Sequence, residues 1–182
     1  GGAAICERLC RTWGARQDVE LTLLVPGPSV PPGLRSLRVD VLEGRTPSSL
    51  GTLSYARFCR RFEKVLTRTL IRLAPDAVLV HDIAEAPDFQ ALHRQGIPCV
   101  PILHVDVVDF FCRMYLGGWV RPQAAEAFMR RLRPWPILPD LLRLVFDKQA
   151  AAALCCPHLV VPSRGMAEIL EKTYPEMAPG QV

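Results

Sequence analysis

Apolar positions along the chain recur in two rhythms. Ile5, Leu9 and Trp13 are spaced by four, the period of one helix face, and predict a helix over about residues 3–15. Val19, Leu21, Leu23 and Val25 then alternate up to Pro26, which predicts a strand. The segment "GPSVPPG" is a loop by composition, and "SLRVDVLEG" is a second short strand candidate. A long amphipathic helix follows in "YARFCRRFEKVLTRTLIRLAP", with Phe58, Phe62, Val65, Leu66 and Leu73 facing inward and the basic residues mostly facing out.

Beyond residue 76 the rhythm tightens. "AVLVHD" is an apolar run ending in two polar residues, "PDFQALHRQG" reads as a short helix closed by glycine, and "PCVPILHVD" repeats the strand pattern. After a long helical stretch come "HLVVPS" and the helix "RGMAEILEKTYP". Short continuous apolar strands alternating with helices predict a parallel sheet covered on both faces, a doubly wound, Rossmann-like α/β fold. At 182 residues the chain fits one domain, 1–182.

Composition narrows the classes. Hydrophobic residues make up 49% and charged residues 22%, a globular mix and not a disordered one. A net charge of +4, without a dense basic run interleaved with aromatics, argues against a nucleic-acid partner and leaves an anionic substrate or membrane surface compatible. The seven cysteines form no paired C-x-x-C knuckles, so they read as reduced thiols of a cytoplasmic protein, and no metal is expected. No run of about 18 apolar residues is present to span a membrane, and the amino end lacks signal-peptide character.

In sheets of the predicted kind, ligands sit at the carboxyl ends of the strands. The polar residues ending the predicted strands are His81 and Asp82, then His104 and Asp106, then Ser163 and Arg164. Gly1 and Gly2 would take the equivalent place after a first strand that is missing. Two glycines before a helix suit a diphosphate cradle, because backbone N–H groups approach the anion and the helix amino end favours it; a tight turn is the plainer reading. His104 is either a satisfied strand-end histidine or an imidazole that hydrogen-bonds substrate near neutral pH. Ser163 suits a helix cap as well as a ligand contact, and Arg164 suits solvent as well as a phosphate. Glu85 and Asp88 read as helix amino-end residues, while His93 and His158 carry no motif.

The motifs, taken in order, resemble the amino-terminal domain of the family-4 retaining glycosyltransferases of the GT-B fold. "GGAA" before a helix looks like that family's glycine turn. "RLAPDAVLVHD" is similar to its "P-D-V-V-H-x-H" strand, and "GIPCVPILHVD", with the trailing "FFC", to its "G-I-P-V-V-x-T-x-H-D" strand. "LVVPSRGMAEILEKTYP" resembles its "V-I-x-V-S" segment. The resemblance implies an acceptor-side half, with the first strand and the donor-binding second domain absent from this chain. It implies transfer of a sugar, with retention and without a metal or other cofactor, from a nucleotide-diphosphate-sugar co-substrate to an acceptor glycan, lipid or small molecule. It places His104 on the family's functional histidine, Gly1 and Gly2 at the donor diphosphate, and His81, Asp82, Asp106, Ser163 and Arg164 at the substrate. Val105 separates Asp106 from His104 where the family has the acid adjacent. A fragment of this kind is expected to be inactive alone.

The stretch 110–146, "FFCRMYLGGWVRPQAAEAFMRRLRPWPILPDLLRLVF", interleaves arginines with aromatics. It suits either a peripheral membrane contact or extra helices filling a small core of their own. Two further alternatives for the chain are a non-catalytic α/β ligand- or partner-binding module and a lone nucleotide-binding domain of the GT-B-like epimerase kind.

Overall fold

The computed structural model describes residues 2–26, 36–38, 47–135 and 140–182. Gly1, the "GPSVPPG" loop and most of the second strand candidate lie outside the described residues. The elements run α1 (Gly2–Gly14), β1 (Leu23–Val25), β2 (Ser36–Arg38), a 3-10 turn (Pro47–Ser49), α2 (Thr52–Leu73), β3 (Val78–Val80), α3 (Phe89–Arg94), β4 (Cys99–Pro101), α4 (Val107–Tyr115), α5 (Pro122–Leu132), α6 (Asp140–Cys155) and α7 (Arg164–Thr173).

Helix α2 forms because Phe58, Phe62, Leu66 and Leu70 recur every four residues and are all buried. Each such side chain contributes about 1.5–3 kcal/mol by leaving water. Val65 and Leu73, expected inward, are exposed. Val65 lies beside that stripe, and Leu73 lies in the last turn, where Ala74 adopts a left-handed conformation (φ 45°) just before Pro75. The helices that follow the strands start on side-chain caps: Asp88 accepts from Ala91 N (3.0 Å), Asp106 from Asp109 N (2.8 Å) and Ser163 from Met166 N (3.3 Å). Each satisfies an amide that the first helical turn leaves without a partner.

Among the described residues the doubly wound Rossmann-like sheet, and with it the GT-B half as a fold, does not form. The described strands are three residues long and make two separate parallel pairs, β1 with β2 and β3 with β4. A single parallel bridge from Ile102 to Val160 brings a third segment beside β4, through Leu103 N to Val160 O (2.8 Å) and Val160 N to Pro101 O (2.9 Å). Prolines explain the short ladders. Pro98 precedes β4, Pro101 is its last residue, and Pro157 and Pro162 flank the Val160 bridge; a proline has no N–H to extend a ladder. Nor are both faces covered as the apolar runs predicted, since Leu79 and Val160 stand exposed.

Helix packing supplies most of the interior. The main core joins the α2 stripe to Val80, Phe89, Leu92, Leu103 and Leu170. A smaller core of Val108, Cys112, Ala125, Met129 and Phe146 lies between α4, α5 and α6, where Phe111 meets Phe146 edge-on at 5.6 Å. The intervening stretch thus fills a core of its own, as one of its two readings held. Gly2 is the first residue of α1 and follows no described strand. The exposure of Ile5 shows that the Ile5–Leu9–Trp13 face is only partly covered.

Candidate functional site

Strands β3 and β4 are parallel, in the register Val78↔Cys99, Leu79↔Val100 and Val80↔Pro101. Their carboxyl ends therefore emerge side by side, and His81 and His104 follow them. The two rings stack with centroids 5.9 Å apart and planes 26° from parallel. His104 is exposed and His81 half-buried. His81 Nδ1 is buried and has no hydrogen-bond partner among the described residues. Burial, and secondarily the charge of a protonated His104, hold the His81 pKa below its ordinary value of 6.5. His81 is therefore neutral at pH 7, with one ring nitrogen open to a donor or acceptor according to tautomer.

The other residues named from the sequence are engaged locally. Asp82 Oδ1 accepts from Ala84 N (2.9 Å), an Asx turn that carries the chain off β3. Asp106 is only 5% exposed and turns inward to cap α4. Its Oδ1 also accepts from Gln149 Nε2 (3.0 Å), while Gln149 Oε1 accepts from Val107 N (2.8 Å). Burial raises the Asp106 pKa, opposed by those hydrogen bonds. Ser163 caps α7, and Arg164 extends into solvent, 3.2 Å from Glu168. Gly2 starts a helix, and Gly1 lies outside the described residues. Of this set, the structure brings His81 and His104 into ring contact and employs Asp82, Asp106, Ser163 and Arg164 as turn, caps and surface pair.

Two contributors escaped the sequence reading. Gln149, fully buried on α6, holds the segment that follows His104. Tyr55 of α2 donates to Glu85 Oε1 (3.3 Å), and burial, then the nearby Asp82, raises the Glu85 pKa. These contacts span 30 to 43 residues of sequence, so no local motif announces them. The hydroxyl at Tyr55 and the acid at Glu85 put further polar chemistry beside the Asp82 turn.

A cleft of about 520 Å³ lies elsewhere, lined by Glu63, Asp88, Arg133, Arg143, Asp147 and Lys148 among others. Most of the charged groups there are engaged by their neighbours. Lys148 Nζ sits 2.6 Å from Glu63 and donates to the Ala86 and Pro87 carbonyls; Arg133 sits 2.7 Å from Asp147; Arg143 donates to the Trp135 carbonyl. Burial, though opposed by Glu63, lowers the Lys148 pKa. Such a pattern ties α6 to α2, to the segment before α3 and to the end of α5.

The cysteines are all free. Among the described residues, no three His, Cys, Asp or Glu side chains converge to hold a metal ion. No described helix is long and apolar enough to cross a membrane. Comparison with protein-family models, with curated proteins and with solved structures gave no match.

Proposed function

We propose that the rim at the ends of β3 and β4 is the acceptor-side wall of a retaining glycosyltransferase. The carrying observation is the His81–His104 pair: two stacked imidazoles on adjacent parallel strand ends, one of them with a buried, unpartnered ring nitrogen. The reading rests on that pair and on the motif resemblance, not on the discarded fold. In it, the exposed His104 touches the sugar, exchanging a hydrogen bond with a hydroxyl at the reacting centre. Neutral His81 packs against it, the two rings stacked with centroids 5.9 Å apart. Among the described residues His104 has no hydrogen bond to a carboxylate, which suits a hydrogen-bonding role better than that of a strong general base.

In this reading the nucleotide-diphosphate sugar is held chiefly by a second domain, and the acceptor is a glycan, lipid or small molecule. Free thiols, five of them buried, support a reducing, cytoplasmic setting. The test is sugar transfer by the protein in which this chain is joined to that domain. His104→Ala is expected to lower turnover by about a hundredfold or more with the fold intact, because an exposed side chain fills little core. His93→Ala, on the exposed side of α3, is expected to leave turnover near normal. Normal turnover by a folded His104→Ala protein would refute the role of His104. Sugar binding to the rim without any transfer would favour the non-catalytic binding module.

A further inference from the structure

Helix α4 buries Val108 and Cys112 in the small core and leaves Phe110, Met114 and Tyr115 exposed. The turn after it is tightly built. Leu116 N and Gly118 N both donate to Cys112 O (3.2 and 3.0 Å), and Trp119 N donates to Leu116 O (3.1 Å). Gly117 and Gly118 both take positive φ, 58° and 75°, conformations that glycine adopts at little cost. A Cβ on Gly117 would lie 3.0 Å from Trp119 Cδ1, so the indole rests against bare glycine backbone. This hydrogen-bonded turn presents Trp119 at 93% exposure. A large aromatic held in water by an ordered turn gains nothing within the monomer.

Two residues further on, Arg121 lines an open groove with Gln123 and Ala124 of α5 and Ile169 and Lys172 of α7. The groove has two cations and no acid. Arg113, Arg130, Arg133 and Arg164 are each ion-paired, whereas Arg121, Arg131 and Lys172 have no acidic partner among the described residues. We infer that the Met114–Arg121 turn and the Arg121–Lys172 groove dock on an anionic lipid surface. Trp119, Met114 and Tyr115 enter the headgroup–acyl boundary, and Arg121 and Lys172 meet lipid phosphates. The dimensions agree: Trp119 and Arg121 lie within roughly 7 Å along the backbone, and interfacial elements sink about 5–10 Å into that boundary. Charge complementarity points to lipid: Arg121 and Lys172 line the groove without an acid, and an anionic leaflet supplies phosphate beside hydrocarbon. With no described helix able to cross a bilayer, the contact is peripheral.

The test is sedimentation of the 182-residue chain with vesicles of phosphatidylglycerol mixed into phosphatidylcholine, against phosphatidylcholine alone. Binding is expected to the anionic vesicles at low salt, with a blue shift of tryptophan emission and release as salt rises. Trp119→Ala and the double variant Arg121→Glu/Lys172→Glu are each expected to weaken binding at least tenfold. Arg72→Glu, at an exposed position in the last turn of α2, is expected to change it less than twofold. All these positions are exposed, so a melting curve matching the parent establishes that each variant folds. No binding to anionic vesicles, equal binding to both vesicle types, or full binding by Trp119→Ala overturns the inference. Concentration-dependent self-association through Trp119 without vesicle binding assigns the face to a second copy and overturns it equally.

Discussion

The rim at β3 and β4 and the turn between α4 and α5 both bring rings to the surface, by opposite means. At the rim the rings are polar and paired, and one ring nitrogen is buried without a partner. At the turn Trp119 and Tyr115 are exposed and largely apolar, with Tyr115 tilted against Phe111 at 5.2 Å. A buried unpartnered nitrogen is costly to folding. An exposed indole costs the fold almost nothing and becomes useful only when something apolar covers it. Mutations should therefore separate the two regions, because the rim is coupled to stability and pH and the turn is coupled to neither.

The largest effect on stability should come from the small core that carries α4. Phe146 is the buried ring under α4, and Phe146→Ala should cost about 3–5 kcal/mol, read by chemical denaturation. Gln149→Leu should come next. It strips Asp106 and Val107 of their α6 partners and should cost about 2 kcal/mol, in line with about 1–3 kcal/mol for one orphaned buried group. It should also move the His104 ring signals in NMR while leaving vesicle binding intact. A Gln149→Leu protein of parental stability would break the claim that α6 positions the segment after His104.

The third effect is a pH dependence. The folded His81 pKa is lowered from 6.5 by burial, so above that value folded and unfolded states are both neutral and the stability is fully present. As pH falls below it, the unfolded chain takes up the proton first, and stability is lost down through the folded pKa. Denaturation midpoints measured between about pH 7 and 5 should fall, and His81→Phe should flatten the part of that slope due to His81. An unchanged slope would mean that burial does not hold His81 neutral. Trp119→Ala should give the smallest effect on stability, within about 0.5 kcal/mol, against its large effect on vesicle binding.

Helix periodicity made much of this legible in advance. The Phe58–Phe62–Leu66 stripe, the glycine-closed α3 and the final α7 stand where their patterns put them. The extent of the sheet was not legible, because short apolar runs look alike whether they form a wide sheet or three-residue ladders, and only the prolines at 98, 101, 157 and 162 tell against the wide one. At the strand ends the sequence could not divide labour between ligand and cap. Asp106 directly precedes the helical "VVDFF" and Ser163 precedes "RGMAEIL", both N-cap signals, yet each also fits a rim. Ring stacking between His81 and His104, 23 residues apart, follows from strand register, which only the folded chain displays.

The central claim is that the His81–His104 pair recognises sugar. The most direct measurement follows the imidazole signals of the chain's four histidines by NMR while UDP-glucose, GDP-mannose and a panel of free mono- and disaccharides are added in turn. The account predicts that at least one sugar shifts His81 and His104 together and saturably, with His93 and His158 unmoved. It is contradicted if every sugar leaves both rim histidines unmoved, or if all four histidines drift alike.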